Sequence, residues 1–586
     1  MKTSNVLRTV AAACVFFAAT ARFSTAVEYR AIMLSGQPAP GFQGGEVFGD
    51  NLSFVNFSAT INNSGEVAFQ NGLDIFGQGG SGSDFPTIWT GGNHPLNLLA
   101  RIDVPPPAPT TGNVSWFNDA FFSRYTNASL RNVRDTDISD NGLVAFSGSY
   151  DLDATHSEDA IWTAGSTTPW SLVGHTHQQA PGTAAGVIFS GFYAPFISGS
   201  GRVAFQADLQ GPGVVSFTND LGIWSQDEGG LKLLARTGDQ APGLPAGANF
   251  AGFTDNRTGY FTNSGGPLSF YATFKRNDAT YGSGIWTERT PGNLELVVQT
   301  GQTAPTVADG LFFAGFRGVT TGPLGHTAFT AAANSSGVDD LYDGGTLWVE
   351  NGHGGLRLVA SGGQLAIGGS NPQFFAGFET PAVDAAGHVA SRAILNPLNP
   401  GPLSGTDSVW YERPDGAFEI LAIAGAHAPG LPADATFRQF GRQAFSDPIM
   451  NSEGQVAFMA NWQDSHSSSA YGIWATNASG QLQLIVSSLQ TIDIDPSPAV
   501  VNLKTIDWLT MYDSDNDYVG LPSQVFQPLS LNDRGEIAFV ARFTDGTNGV
   551  LIATIPVPEC QPLAIAAILG AVTLLKRTPR IKTARC

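Results

Sequence analysis

Asn62-Asn63-Ser64-Gly65-Glu66-Val67-Ala68-Phe69 decides the reading of this chain, because its pattern returns seven more times with variation. The pattern is Asn/Asp-x-x-Gly-x-x-Ala-Phe. Copies begin at Asn62, Ser139, Ser198, Asn263, Gly322, Asp384, Asn451 and Asn532, and their glycines lie 59 to 81 residues apart. The Ala-Phe pair is kept in six copies and degrades to Ser269-Phe270 and Ala390-Ser391 in the others. An Asn or Asp that bonds its own backbone, followed by a Gly that accepts positive φ, makes a tight reversal. The apolar stretches on either side of it then form a hairpin.

Three further elements recur around this one. An apolar-Trp pair follows seven copies: Ile88-Trp89, Ile161-Trp162, Ile223-Trp224, Ile285-Trp286, Leu347-Trp348, Val409-Trp410 and Ile473-Trp474; the eighth has Val550-Leu551. A Leu-type run comes next, as in Leu96-Leu98-Leu99 and Leu231-Leu233-Leu234. It leads into Gly-x-x-Ala-Pro-Gly, best kept at Gly36 to Gly41, Gly238 to Gly243 and Gly425 to Gly430. Phe-x-Gly-Phe appears at Phe189, Phe250, Phe313 and Phe375. The β-rich runs read as strands, and the Pro of the turn ends the last of them.

Each repeat therefore holds four strands: the pre-turn strand, Val-Ala-Phe, Ile-Trp and the Leu-type strand. Four-stranded units of ~60 residues in tandem are propeller blades. The expectation is an all-β, eight-bladed β-propeller over 27–555, with the recurrent Trp and Phe packing between blades. The last repeat lacks a Leu-type strand, and a lone one stands at Arg30 to Leu34. The N-terminal strand is expected to close the ring beside Val550 to Thr554.

The two ends read as addresses. Residues 1–26 have the form of a signal peptide: Lys2 and Arg8, the apolar Val10 to Ala21, then Ser24-Thr25-Ala26. At the other end, Val557-Pro558-Glu559-Cys560 precedes an apolar run, Leu563 to Leu575, and a basic end from Lys576-Arg577. Residues 556–586 resemble the bacterial PEP-CTERM sorting tail, with Cys560 at the third motif position. The resemblance implies export, membrane insertion of the C-terminal segment before processing near Pro558, and recognition by the export and sorting machinery. The repeats resemble a bacterial family named for tandem Asn-x-x-Gly-x-x-Ala-Phe repeats and varied C-terminal anchors. That resemblance spans nearly all of 28–555 and implies surface location, with no activity attached.

Charge and cysteine usage exclude several functions. Between Val27 and Glu559 there are 21 basic and 49 acidic residues, a net −28. Such a body repels nucleic-acid phosphates and suits solubility, divalent cations or a cationic partner. Cys14, Cys560 and Cys586 all lie outside it, so thiolate catalysis and Cys–zinc sites within it are excluded.

Candidate chemistry is sparse. Two long segments, roughly Val104 to Arg134 and Ser487 to Gln524, follow Leu-type strands and should emerge on one face. The second holds Asp513-Ser514-Asp515-Asn516-Asp517. Alternate carboxylates gather oxygens as calcium loops do, which makes Asp513, Asp515 and Asp517 the candidate metal ligands. Tyr518 stands where the loop glycine belongs and no later Glu follows, so an ordinary polar turn is the reading the pattern favours. His175-Thr176-His177 sets two imidazoles on one side of an extended segment, but the sequence identifies no third ligand. No nucleophile elbow, His-Glu-x-x-His or phosphate loop occurs.

The leading functional expectation is a non-catalytic scaffold that binds an extracellular polysaccharide or a surface protein. The alternative is a carbohydrate-active hydrolase or lyase at the mouth of the central channel. Carboxylates clustered in one or two blades would favour the enzyme, and an aromatic loop face would favour binding. A third expectation is a purely structural envelope component.

Overall fold

The computed structural model describes residues 26–42, 45–49, 59–74, 84–101, 136–153, 156–193, 195–227, 229–253, 266–305, 310–334, 345–366, 372–396, 405–438, 444–465, 470–495, 497, 500–511 and 530–556. Every helix or strand among them is a strand. The strands form eight small antiparallel sheets arranged as an eight-bladed propeller, four strands to a blade. In blade 3 the order is Ile188–Phe192, Val203–Gln210, Leu221–Asp227 and Gly230–Arg236.

The Asn-x-x-Gly turns join first and second strands, and they touch from blade to blade. The Asn62 side chain donates to Ser139 O at 2.9 Å, Asn451 to Asn532 O at 2.9 Å, and Asn532 to Asn62 O at 3.0 Å. Each of these Asn Oδ1 atoms meanwhile accepts from backbone N–H groups within its own turn, as Asn62 does from Ser64 N and Glu66 N. Turns that meet from blade to blade lie at the axis of the ring, so the first strands are innermost and the Leu-type strands outermost.

The ring closes as the repeat pattern predicts. Glu28–Leu34 pairs antiparallel with Asn548–Thr554, from Glu28 opposite Thr554 to Leu34 opposite Gly549. It completes the eighth blade as its outer strand. Trp89 of blade 1 packs in one cluster with Ala538, Val550 and Ile552 of blade 8.

The same packing repeats at other seams. Trp224 of blade 3 lies with Ala145, Ile161 and Val173 of blade 2. An edge-on Phe meets each of these indoles, as Phe189 does Trp224 with centroids 4.8 Å apart. The Phe-x-Gly-Phe element is the start of the first strand, and Phe48 and Phe437 are two further members without the full motif. The first strand is usually split, with Ile188–Phe192 and Phe196–Ile197 both pairing Val203–Gln210. In blade 5 it runs unbroken over Phe312–Thr321.

The doubled Leu of the Leu-type strand has a structural cause. Ile223 faces Ala235 while Trp224 faces Leu233, so Leu234 is the extra residue of a bulge. The same slip occurs at Ile88/Trp89, Ile285/Trp286, Leu347/Trp348, Val409/Trp410 and Ile473/Trp474.

One sequence expectation needs correction. The segment Ser487 to Gln524 is not a single loop. Thr491–Asp493 and Leu503–Thr510 are strands, and Leu503–Thr510 is the inner strand of blade 8. Its apolar residues Ile506, Trp508 and Leu509 do not alternate strictly and follow a Pro-containing stretch, which hid it.

The Ala-Pro-Gly turn clasps neighbouring blades. Trp224, Trp286 and Trp474 donate Nε1–H to the carbonyls of Pro181, Pro242 and Pro429 at 2.9–3.0 Å. Those three Trp have Gly two residues earlier, and a Cβ on Gly284 would stand 2.8 Å from the Trp286 ring. Where that residue is Thr or Ser, the indole bonds it instead: Trp89 to Thr87, Trp348 to Thr346 and Trp410 to Ser408. The turn's last Gly is sterically required too. Gly243 has φ +79°, and a Cβ there would come within 2.7 Å of Leu296 Cβ in the next blade.

Gly243→Ala is therefore expected to cost about 2–4 kcal/mol, combining left-handed strain with overpacking. Gly546→Ala, at φ +86° with nothing within 4 Å, should cost only about 1 kcal/mol. Guanidinium unfolding midpoints of the two variants check this; equal losses would remove the clasp argument.

Candidate functional site

Buried charges in this ring are mostly committed to its seams. Glu288, Glu350 and Glu412 each stand two residues after a blade Trp and are almost wholly buried. Each takes an arginine from the preceding blade: Arg202 to Glu288 at 2.7 Å, Arg289 to Glu350, and Arg357 to both oxygens of Glu412 at 2.6 and 2.9 Å. The sequence signal, Trp-x-Glu in three consecutive repeats, was there to be read. The arginines are scattered in sequence and could not be paired from it.

A larger cluster occupies the seam of blades 6 and 7 near the axis. Arg392 follows the degenerate Ala390-Ser391 pair and is buried. Its Nε donates to Asp407 at 2.9 Å and its Nη1 to Asp447 at 3.4 Å, with Glu379 at 3.9 Å from Nη2. Asp407 also accepts the backbone N–H groups of Ala444 and Phe445. Glu379 and Asp447 stand in the gaps of the split first strands of their blades. Burial pushes the Asp447 carboxyl up to about 7; the Arg392 charge pulls it down, and Glu379 and Asp407 push it further up. At the equivalent position, blades 1 and 3 carry Gln70 and Gln206, whose amides are buried without a hydrogen-bond partner among the described residues. The Arg–carboxylate cluster is thus particular to one seam.

The opposite end of the ring carries the second-to-third-strand loops and the Ala-Pro-Gly turns. In blade 3 the loop Gly211 to Asp220 holds Phe217 at φ +59° and 98 % exposed, with Val215 exposed beside it. The loop is bonded internally. Val215 N donates to Asn219 Oδ1 at 2.6 Å, Phe217 N to Asp220 Oδ2 at 2.8 Å, and Asn219 Nδ2 to Gly213 O at 3.0 Å. Tyr281 is exposed at the corresponding hairpin of blade 4. The sequence reading missed Phe217, since an aromatic residue in a Gly-rich loop looks like any other repeat Phe.

His175 and His177 lie on this same end, where the outer strand of blade 2 turns toward blade 3. His175 Nδ1 bonds Glu158 at 2.7 Å, and His177 Nδ1 lies 3.4 Å from the other oxygen of the same carboxyl. Asp513, Asp515 and Asp517 fall outside the described residues. Their flanks, Met511 and Ser530, are joined by a 2.8 Å bond from Ser530 Oγ to Met511 O. Residues 1–25 of the signal-peptide segment and 557–586 of the PEP-CTERM-like segment also fall outside the described residues. Among those described, no helix is long and apolar enough to cross a membrane.

Known proteins offer limited comparison. The model of a family of unknown function, DUF7453, matches residues 119–304 and 279–564. No curated protein matches the chain. Similar solved structures include the polysaccharide lyase Uly1 (10 % identity, 76 % of this chain and 97 % of that one, TM-score 0.35). The Dos1 propeller is 10 % identical over 86 % of this chain and 93 % of that one, TM-score 0.33. An α-L-arabinanase of Penicillium chrysogenum, complexed with arabinobiose, is 10 % identical over 62 % and 92 %, TM-score 0.24. At these identities and scores they say nothing about activity.

The Asp447 carboxyl gives a pH test. Its folded pKa is raised above the unfolded value, so its stabilising contribution is full below the ordinary carboxylate range and is lost as pH rises through about 7. The stability difference between wild type and Asp447→Asn should therefore move against wild type between pH 4 and pH 8. Thermal melts across that range check it, and a pH-independent difference would refute the raised carboxyl.

Proposed function

We propose that this chain, which belongs to the family of unknown function DUF7453, is an exported surface scaffold that binds rather than catalyses. Its partner, an extracellular polysaccharide or a surface protein, seats on the loop end of the ring. Phe217 carries this reading. A fully exposed aromatic residue on strained but tightly bonded backbone costs the free protein stability, and outliers of this kind concentrate at sites of function. Rigid aromatic side chains are also the usual anchors of binding surfaces. The arginines that engage the seam carboxylates support a structural use for those acids.

Export and transient membrane attachment through the C-terminal apolar segment belong to the same proposal, on the strength of the terminal sequence patterns. So does calcium at Asp513, Asp515 and Asp517 as an accessory to the scaffold. Asp515→Ala should abolish any rise in melting temperature that calcium gives the wild type, and the absence of such a rise in the wild type would end the calcium reading.

A glycan array and a surface-protein capture, run on wild type and Phe217→Ala, test the main reading. Binding should weaken about tenfold or more in the variant. Retained binding would remove Phe217 as the anchor. One feature favours the enzymatic alternative: burial raises the Asp447 carboxyl toward neutrality, the direction a general acid needs. Release of reducing or unsaturated ends from an array hit, lost in Asp447→Asn, would replace the scaffold with a hydrolase or lyase.

A further inference from the structure

Tandem repeats provide their own control, since a residue can be compared with its counterparts in the other blades. The turn after the Leu-type strand opens on glycine in five places, Gly36, Gly238, Gly301, Gly363 and Gly425, at φ between +78° and +87°, and after blade 7 it opens on Leu489 at φ +69°. After blade 2 the residue is His177, held at φ +63° without the freedom of glycine. Two residues earlier stands His175, where the other blades have Arg236, Gln299, Ser361 and Ile423. Four residues before the Trp of blade 2 stands Glu158, where others have Phe85, Asp220, Gly282, Thr406 and Ala470.

These three departures meet in space. His175 Nδ1 lies 2.7 Å from Glu158 Oε2, and His177 Nδ1 lies 3.4 Å from Glu158 Oε1. The Glu158 side chain is 8 % exposed, His175 21 % and His177 59 %, so the trio opens to solvent on one side. The backbone beneath is pinned. Thr176 N donates to Asp159 O at 2.9 Å, and Asp159 N to Thr176 Oγ1 at 3.0 Å. His177 N donates to Phe189 O at 2.9 Å.

We propose that Glu158, His175 and His177 form a binding site for a divalent transition-metal ion of the zinc type. Two imidazoles and one carboxylate are a recurrent zinc ligand set that leaves a position open to water. Ligands each about 2.1 Å from one ion stand ~3–3.4 Å apart, close to the two nitrogen–oxygen separations seen here. Among the described residues, no three such side chains are already gathered about one point. Here each imidazole holds a different carboxylate oxygen, and the exposed His177 ring must rotate to admit the ion. Each ring then carries its proton on Nε2 and turns the Nδ1 lone pair to the metal. The acidic body favours the approach of a cation.

Zinc titration of the full chain, followed calorimetrically and by thermal melting, tests the site. The wild type should take up one zinc ion through this site and melt a few degrees higher. His177→Gly installs the glycine found at Gly36, Gly238, Gly301, Gly363 and Gly425 and should melt at or above the wild type without metal, yet show no zinc-induced rise. His175→Gln should weaken zinc binding at least tenfold. A wild type that does not respond to zinc overturns the proposal. So does a rise that persists in His177→Gly, which would place the metal elsewhere, for example on the three cysteines.

Discussion

The hydrogen bond from the Asn532 side chain to the carbonyl of Asn62 spans 470 residues of chain and joins the last blade to the first. It belongs to a belt of such contacts at the axis. The motif Asn uses Oδ1 to hold its own turn and Nδ2 to hold the next one. One side chain thus fixes both the local reversal and the distance between blades. Ser139 cannot make the second bond by the same geometry, and a backbone contact takes over there: Asp140 N donates to Gly199 O. Everything farther from the axis, from indole packing to the outer clasp, depends on blades held at that spacing.

Much of this was legible because repetition multiplies weak signals. One Asn-x-x-Gly is an ordinary turn, but eight at a spacing near 60 residues require an array, and the unpaired strand at Arg30 to Leu34 required a closed one. Pairings across seams were less legible. Arg289 and Glu350 lie 61 residues apart, and nothing local marks them as partners. The doubled Leu could have been read as a bulge, and the Gly two residues before Trp224 as room for the ring, but only once the neighbouring strand was in place. The candidate site was half legible. The His175 and His177 pair stood out, whereas Glu158 is distant in sequence and joins it only through strand pairing. Phe217 was invisible, because exposure is not a property of sequence pattern.

Repeat proteins separate architecture from function in a useful way. What most blades share, namely Trp, Phe, the turn glycines and the Ala of Ala-Pro-Gly, is used for packing. What one blade alone carries is free of that duty. Arg392, Phe217 and His177 are all residues of the second kind, and the last two sit on strained backbone at the loop end of adjoining blades. The turn that follows Gly182 lies against the Phe217 loop, where a Cβ on Gly186 would touch Pro212 at 3.4 Å. Blades 2 and 3 therefore set two such residues close together at the loop end of the ring.

The closing blade also fixes how the molecule responds to mechanical load. Thr554 ends a strand held on one side by Glu536–Phe543 and on the other by Glu28–Leu34. A pull on the chain beyond Ile555 runs along that strand and loads both ladders in shear, so many hydrogen bonds share the force at once. Peeling an edge strand would break them singly. Because Glu28 faces Thr554, both ends of the chain leave the ring at one corner. Whatever is tethered there holds the ring on the side of its Asn-x-x-Gly turns and leaves the loop end clear.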